Sequence, residues 1–327
     1  ITPSSPMAEY CDGELSQGKK NIFGKLPTLV EMQSEGGASG ALHGSLSTGA
    51  LSTTFTSSQG LLLMIPNLYK MAGEHLPGVL HVAARTVATH ALSIFGDHSD
   101  IMAIRQTGAI LLCSNSVQEA HDFALIAHIL ALKTSLPVVH FFDGFRTSHE
   151  IQKIDTIEDE QILKLIPQKE IEKFKNSCLD SSHPYQKGSA QNPDVFIQNR
   201  EASAPAYSTI YKTLTEILKD FKKEIGRSYH PFEYVGNKNA ENIIISMGSS
   251  CECIEETIRD KQNHNVGLVK VHLYRPFNYE ALKEILPEGT KTVITLDRTR
   301  EFGAHDPLYL DVVSALNGTN INVIGGR

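Results

Sequence analysis

The sequence predicts an α/β protein: a doubly wound parallel sheet in a larger unit, residues 1–227, followed by a smaller α/β unit, residues 228–327. Three observations predict it. The candidate strands are short, continuous apolar runs rather than alternating ones, as in a parallel sheet covered on both faces. Stretches with helical spacing separate these runs. From residue 242 onward the alternation is regular, with short links throughout.

The elements follow in order. Residues 1–60 mix short apolar pieces with small residues, and Gly36, Gly37, Gly40, Gly44 and Gly49 crowd one stretch where backbone can approach a ligand closely. The apolar run 61–65 reads as a strand leaving through Met64-Ile65-Pro66-Asn67, followed by a helix over 68–73 and a strand over 78–82. Residues 86–94 read as a short helix and 109–113 as a strand. A helix over 116–133 is marked by Val117, Ala120, Phe123, Ala124, Ala127, Leu130 and Ala131, with Ser116 and Glu119 as its capping box. Residues 137–142 form the next buried strand. Residues 155–175 are a charged, amphipathic helical excursion, 181–199 a loop rich in turn residues, and 207–225 a helix. In the second unit, strands over 242–246, 266–273, 291–296 and 322–324 alternate with helices over 252–261, 279–286 and 308–316.

Composition excludes several function classes. The net charge is -7 with Lys and Arg scattered, which gives no electrostatic footprint for nucleic acid or an anionic membrane. No apolar run approaches the roughly 18 residues of a membrane span. Cys11, Cys113, Cys178, Cys251 and Cys253 make an odd count, which argues for reduced thiols and a cytoplasmic setting, an organelle not being excluded. The chain starts at Ile1 without Met and ends in Gly325-Gly326-Arg327 behind an apolar strand, so both ends read as cut from something larger.

Four places carry candidate chemistry. Met247-Gly248-Ser249-Ser250 feeds a helix N-terminus, a position suited to anions, although a tight turn with a capping serine is the favoured reading. Ser148-His149-Glu150 lacks the second His of a zincin motif and reads as a structural loop network; Cys251-Glu252-Cys253 has neither zinc nor cluster spacing. Glu35 is a carboxylate between an apolar segment and a run of small residues, where a helix-start cap and catalysis remain equally open. Arg85 is the sole charge in Val82-Ala83-Ala84-Arg85-Thr86-Val87, suited either to gripping a carboxylate bidentately or to a structural ion pair.

Several stretches together resemble the pyruvate:ferredoxin (flavodoxin) oxidoreductases and their pyruvate:NADP+ fusion relatives. They are residues 1–9 (ITPSSPMAE), 31–40 (EMQSEGGASG), 81–85 (HVAAR), 91–100 (ALSIFGDHSD), 105–108 (RQTG), 141–150 (FFDGFRTSHE), 247–252 (MGSSCE), 273–277 (LYRPF) and 296–299 (LDRT). The set spans nearly the whole chain in order. The resemblance implies a thiamine pyrimidine-binding-type domain followed by a transketolase C-terminal-like domain. By the same resemblance, Glu35 hydrogen-bonds the pyrimidine of thiamine diphosphate, and Thr2 and Arg85 hold the carboxylate of pyruvate. Gly36-Gly37 departs from relatives that often carry Ala there.

The implied activity is oxidative decarboxylation of pyruvate with CoA to acetyl-CoA and CO2. Electrons would pass through [4Fe-4S] clusters to ferredoxin, flavodoxin or NADP+, with FAD or FMN in a fusion form. Ligands for the diphosphate, Mg2+ and the clusters would lie outside this chain, which alone would be inactive. The full enzyme is expected to be a homodimer, without nucleic-acid or membrane partners. A glutamate beside the pyrimidine nitrogen fits the chemistry, because it favours the tautomer that removes the thiazolium C2 proton. A sister 2-oxoacid oxidoreductase, or a non-catalytic module on the same fold, is the alternative.

Overall fold

The computed structural model describes residues 2–184, 186–261 and 265–327; Ile1, the first residue of the amino-terminal motif, lies outside them. The chain runs through α1 (Ser5–Ser16), α2 (Glu35–Ser47), β1 (Thr53–Thr56), α3 (Gln59–Leu63), α4 (Ile65–Gly73), β2 (Val79–Ala84), α5 (Ser99–Ile104), β3 (Ile110–Cys113), α6 (Val117–Thr134) and β4 (Val138–Asp143). Helices α7 (Asp159–Leu165), α8 (Gln168–Asn176), α9 (Pro193–Ala202), α10 (Ala204–Ser208) and α11 (Ile210–Ile225) follow. The remainder is β5 (Phe232–Gly236), β6 (Asn242–Ser246), α12 (Ser250–Lys261), β7 (Val266–Val271), β8 (Leu273–Arg275), α13 (Tyr279–Ile285), β9 (Thr292–Leu296), α14 (Pro307–Leu316) and β10 (Asn322–Gly326).

Among the described residues these strands make two five-stranded sheets, ordered β1-β2-β4-β3-β8 and β10-β9-β6-β7-β5. Within the first, β1, β2, β4 and β3 are parallel. Strands β2, β3 and β4 are buried at every position, which is why they read as mainly apolar runs rather than alternating ones, with His81, His140 and Asp143 as the polar exceptions. The second sheet is parallel except for the edge strand β5, antiparallel to β7 and not foreseen from sequence.

Three local expectations are corrected. Residues 61–65 are not a strand: they belong to α3 and α4, with Leu61, Met64, Leu68 and Met71 fully buried along one helical stripe. A five-residue apolar run has no period of its own, and the strand here is the threonine-rich β1. Residues 86–94 are not a helix; Thr86 Oγ1 bonds Ser93 O at 2.9 Å and Ser99 Oγ takes the Val87 N–H at 3.0 Å, closing a loop instead. Part of the loop foreseen over 181–199 is helix α9, which starts at Pro193, where a missing N–H costs nothing.

The charged excursion over 155–175 is two helices, α7 and α8, broken at Pro167. The run 266–273 is also divided. It leaves the second sheet after Val271, and β8 pairs antiparallel with β3 of the first sheet, Leu112 opposite Leu273. The expected capping box on α6 is half formed. Ser116 Oγ accepts the Glu119 N–H, but the Glu119 carboxylate takes the N–H of Asn115 at 2.6 Å rather than that of Ser116.

Candidate active site

The carboxyl ends of β1, β2 and β4 share one edge of the first sheet, where parallel α/β folds collect ligand groups. Glu35 is the first residue of α2 and is half-buried, without a hydrogen-bond or ion-pair partner among the described residues. It leans over the first turn of α3, just past β1: a methyl on Gly60 would lie 2.8 Å from Glu35 Oε1 and 2.7 Å from both Glu35 Cγ and Thr56 Oγ1. Any side chain at position 60 therefore requires Glu35 or Thr56 to shift. Thr56 Oγ1 is itself buried and unpartnered. The carboxylate borders a groove of about 740 Å³ whose wall mixes apolar Ala38, Phe55 and Met64 with charged Glu14, Lys19 and Glu31. The groove wall includes Glu35 but neither Thr2 nor Arg85.

Arg85 follows the last residue of β2. Its backbone N–H bonds Asp100 Oδ2 at 3.1 Å, and its side-chain Nε is buried with no partner. The guanidinium makes no ion pair among the described residues, so the structural-ion-pair alternative finds no acceptor here. Thr2 is exposed; its carbonyl accepts from Ser57 Oγ at 2.8 Å and its hydroxyl lies 3.5 Å from Ser5 Oγ. Both Pro3 Cγ and Ala84 O crowd the space a side chain on Gly144 would need, at 3.0 and 2.8 Å. The amino-terminal segment thus lies against the ends of β2 and β4.

Sequence reading missed the groups that hold this edge. Asp100 is fully buried; burial pushes its carboxyl up to about 7, against the pull of backbone N–H donors from Arg85, Ser58 and Ile101. Asp143, at the end of β4, is also fully buried. Its Oδ1 meets His98 Nε2 at 2.7 Å, while Oδ2 accepts from Arg298 Nη1 at 2.7 Å, Ser249 N at 2.8 Å and Ser249 Oγ at 2.6 Å. Burial raises that carboxyl, but His98, Arg298 and Ser249 outweigh it and hold the group at about 2. The anion-suited turn at Gly248-Ser249 is therefore occupied by an internal carboxylate. A second tie joins Asn115 to His272 Nε2 and to the Gly248 N–H, both at 2.8 Å.

The remaining candidates are structural. His149 stacks on Phe145 at 4.8 Å and contacts Ser148 Oγ at 2.9 Å. Cys251 is buried and Cys253 exposed, so the two thiols face different surroundings. Among the described residues no helix is long and apolar enough to cross a membrane.

Residues 1–219 match the family model described as pyruvate flavodoxin/ferredoxin oxidoreductase, thiamine diphosphate-binding, and residues 240–327 match pyruvate:ferredoxin oxidoreductase core domain II. The whole chain is 55% identical to pyruvate:ferredoxin oxidoreductase of Moorella thermoacetica, covering 28% of that protein. It is 50% identical over its whole length to a pyruvate-flavodoxin oxidoreductase of Nostoc sp. (strain ATCC 29151), covering 82% of that sequence. A 2-oxoglutarate:ferredoxin oxidoreductase from Magnetococcus marinus, solved with 2-oxoglutarate, coenzyme A and succinyl-CoA bound, shares the fold. There the TM-score is 0.67 at 17% identity, over 100% of this chain and 57% of that one.

Proposed function

The chain belongs to the pyruvate flavodoxin/ferredoxin oxidoreductase family, and on that premise we propose that it is the cofactor-activating and substrate-gripping part of a larger pyruvate oxidoreductase. The whole enzyme, in this reading, converts pyruvate and CoA to acetyl-CoA and CO2. Its electrons leave through iron–sulfur clusters to ferredoxin, flavodoxin or NADP+, through a flavin in the last case. The chain spans 28% of the Moorella relative, and the reading assigns the diphosphate, Mg2+ and cluster ligands to the rest of such a polypeptide, active as a homodimer. We keep the division at residues 227 and 228, which agrees with family matches over 1–219 and 240–327.

The observation that carries the reading is Arg85. A guanidinium at a strand's carboxyl end, with its Nε buried and without an anion among the described residues, calls for one, and the carboxylate of a 2-oxoacid supplies it with matching fork geometry. Thr2, tied beside it through Ser57, adds a hydroxyl donor. Glu35 has an environment suited to the pyrimidine end of thiamine: a carboxylate without a partner among the described residues, beside Ala38, Phe55 and Met64 on the groove wall, free to accept from a ring N–H. When bound, thiamine diphosphate supplies the carbanion chemistry. Glu35 holds the proton balance at the pyrimidine, while Arg85 and Thr2 orient the substrate without taking part in bond making.

The test is Arg85→Ala in the full-length enzyme. We expect the KM for pyruvate to rise by roughly two orders of magnitude, the worth of a charge-assisted bidentate contact. Exchange of the thiamine C2 proton without substrate should stay near wild type. An unchanged KM overturns the assignment of Arg85.

A further inference from the structure

The two residues assigned to the substrate carboxylate come from segments far apart in sequence, and each rides on a loop. The Arg85 loop leaves β2; Thr2 is tied by its carbonyl to Ser57, in the loop leaving β1. One buried carboxylate oxygen joins those loops. Asp100 Oδ2 accepts the Ser58 N–H at 2.8 Å and the Arg85 N–H at 3.1 Å, while Oδ1 takes the N–H of Ile101 at 2.8 Å. A second strap runs in parallel, from Ser58 Oγ to Thr86 O at 2.5 Å. Ser58 makes both bonds from a backbone with φ +51°, a left-handed geometry that a serine rarely adopts. A carboxylate fully removed from water, with backbone donors in place of a cation partner, is an expensive way to join two loops unless their spacing matters.

Resting on the reading of Thr2 and Arg85 above, we propose that Asp100 and Ser58 form a latch that sets the spacing and pitch of the substrate grip. Neither residue is placed against the substrate; both are positioning residues. Thr2 and Arg85 are then linked by an unbroken chain: Thr2 carbonyl, Ser57, Ser58, Asp100 and the Arg85 backbone. Moving either loop changes where two donors converge, and catalytic geometry is sensitive to displacements of about 1 Å. Glu35 makes no hydrogen bond in this chain and meets it only through Gly60 in the first turn of α3, so cofactor activation should feel the latch far less than the substrate grip does.

Asp100→Asn tests the proposal in the full-length enzyme. An amide offers one oxygen where three N–H groups converge on two, so at least one donor is left facing another. KM for pyruvate should rise roughly ten- to hundredfold, from the loss of one or two buried hydrogen bonds. The kcat at saturating pyruvate should stay within about threefold, since substrate binding can restore the grip. C2 proton exchange without pyruvate should keep its wild-type rate. Independently of turnover, amide hydrogen exchange in peptides spanning residues 57–63 and 84–90 should accelerate, a change confined to the latched loops. If Asp100→Asn does not accumulate folded, Ser58→Gly serves, because glycine keeps the left-handed backbone without cost and removes the hydroxyl that reaches Thr86 O and Gln59 Oε1. There KM should rise roughly three- to tenfold for one lost hydrogen bond. A folded variant of either kind with wild-type KM and unchanged exchange overturns the latch. An unchanged KM in Arg85→Ala removes the grip itself; a raised KM there beside a normal KM in Asp100→Asn removes only the latch.

Discussion

Arg298 Nη1 donates to Asp143 Oδ2 at 2.7 Å, joining a loop of the second sheet to the end of β4 in the first. The same guanidinium donates through Nε to Gly96 O at 3.3 Å, and the Arg298 carbonyl accepts the His98 N–H at 2.8 Å. Arg298 therefore fastens the far side of the loop that begins at Arg85. Arg298→Ala leaves a buried carboxylate short of one of its two charged partners, His98 being the other. We expect a loss of about 3 kcal/mol in stability, the usual cost of breaking such a pair from one side. Urea denaturation measures it; a loss below about 0.5 kcal/mol would make this an ordinary surface contact.

Acid should weaken the fold through histidines that the catalytic reading does not use. His81 on β2 and His140 on β4 meet Nδ1 to Nδ1 at 3.0 Å, and Ser114 Oγ holds His140 Nε2 at 2.8 Å. Burial depresses His81 well below the usual imidazole range and His140 to about 3. As pH falls below about 6.5, the unfolded chain takes up protons that the folded one refuses. Stability from this pair is thus complete above that pH and declines toward the folded values. Asp100, whose carboxyl is pushed up to about 7, acts in the opposite sense over part of this window. The comparison is therefore between wild type and His140→Gln, whose urea midpoint should fall less steeply between pH 6.5 and 5. Parallel slopes would remove the histidine pair as the cause.

The difference between what was legible and what was not is physical. Strands β2, β3 and β4 declare themselves because burial on both faces leaves them apolar except at His81, His140 and Asp143. The run containing β7 and β8 looks like one strand because the change of sheet at His272 alters its neighbours, not its composition. Glu35 and Arg85 stood out as isolated charges among small residues. Asp100 did not, since its partners are backbone N–H groups, and Ser58 lies 42 residues away. A contact with main chain leaves no side-chain signature for sequence to display.

Gly60 offers a steric test of where Glu35 points. A methyl there meets Glu35 Oε1 at 2.8 Å and Cγ at 2.7 Å, and Glu35, unlike Thr56 at the end of β1, has a free side-chain end able to swing away. Gly60→Ala should displace the carboxylate by a few tenths of an ångström or more. In the full-length enzyme, C2 exchange should then fall by roughly tenfold to a hundredfold, as misplacement near 1 Å does elsewhere. The KM for pyruvate should move little. Exchange at the wild-type rate in a folded Gly60→Ala enzyme would mean that Glu35 does not act from its observed position.

Glu35→Gln isolates the charge itself. The amide keeps the size of the side chain and can still accept from a ring nitrogen, but it cannot favour the proton distribution that a carboxylate does. Removal of the C2 proton should slow by roughly two to four orders of magnitude, the span of a positioned acid–base group. Affinity for thiamine diphosphate should drop far less, because our reading places the diphosphate and Mg2+ on other parts of the polypeptide. Deuterium exchange at C2, quenched in acid and followed by NMR, reads that step alone, before pyruvate enters. The half-buried Glu35 has no cation and no hydrogen-bond donor among the described residues, which leaves its place in the first turn of α2 as the structural duty that competes with this role. If Glu35→Gln exchanged as fast as wild type, the carboxylate would be a helix-start residue of α2 and nothing more, and the groove would lose its claim to thiamine.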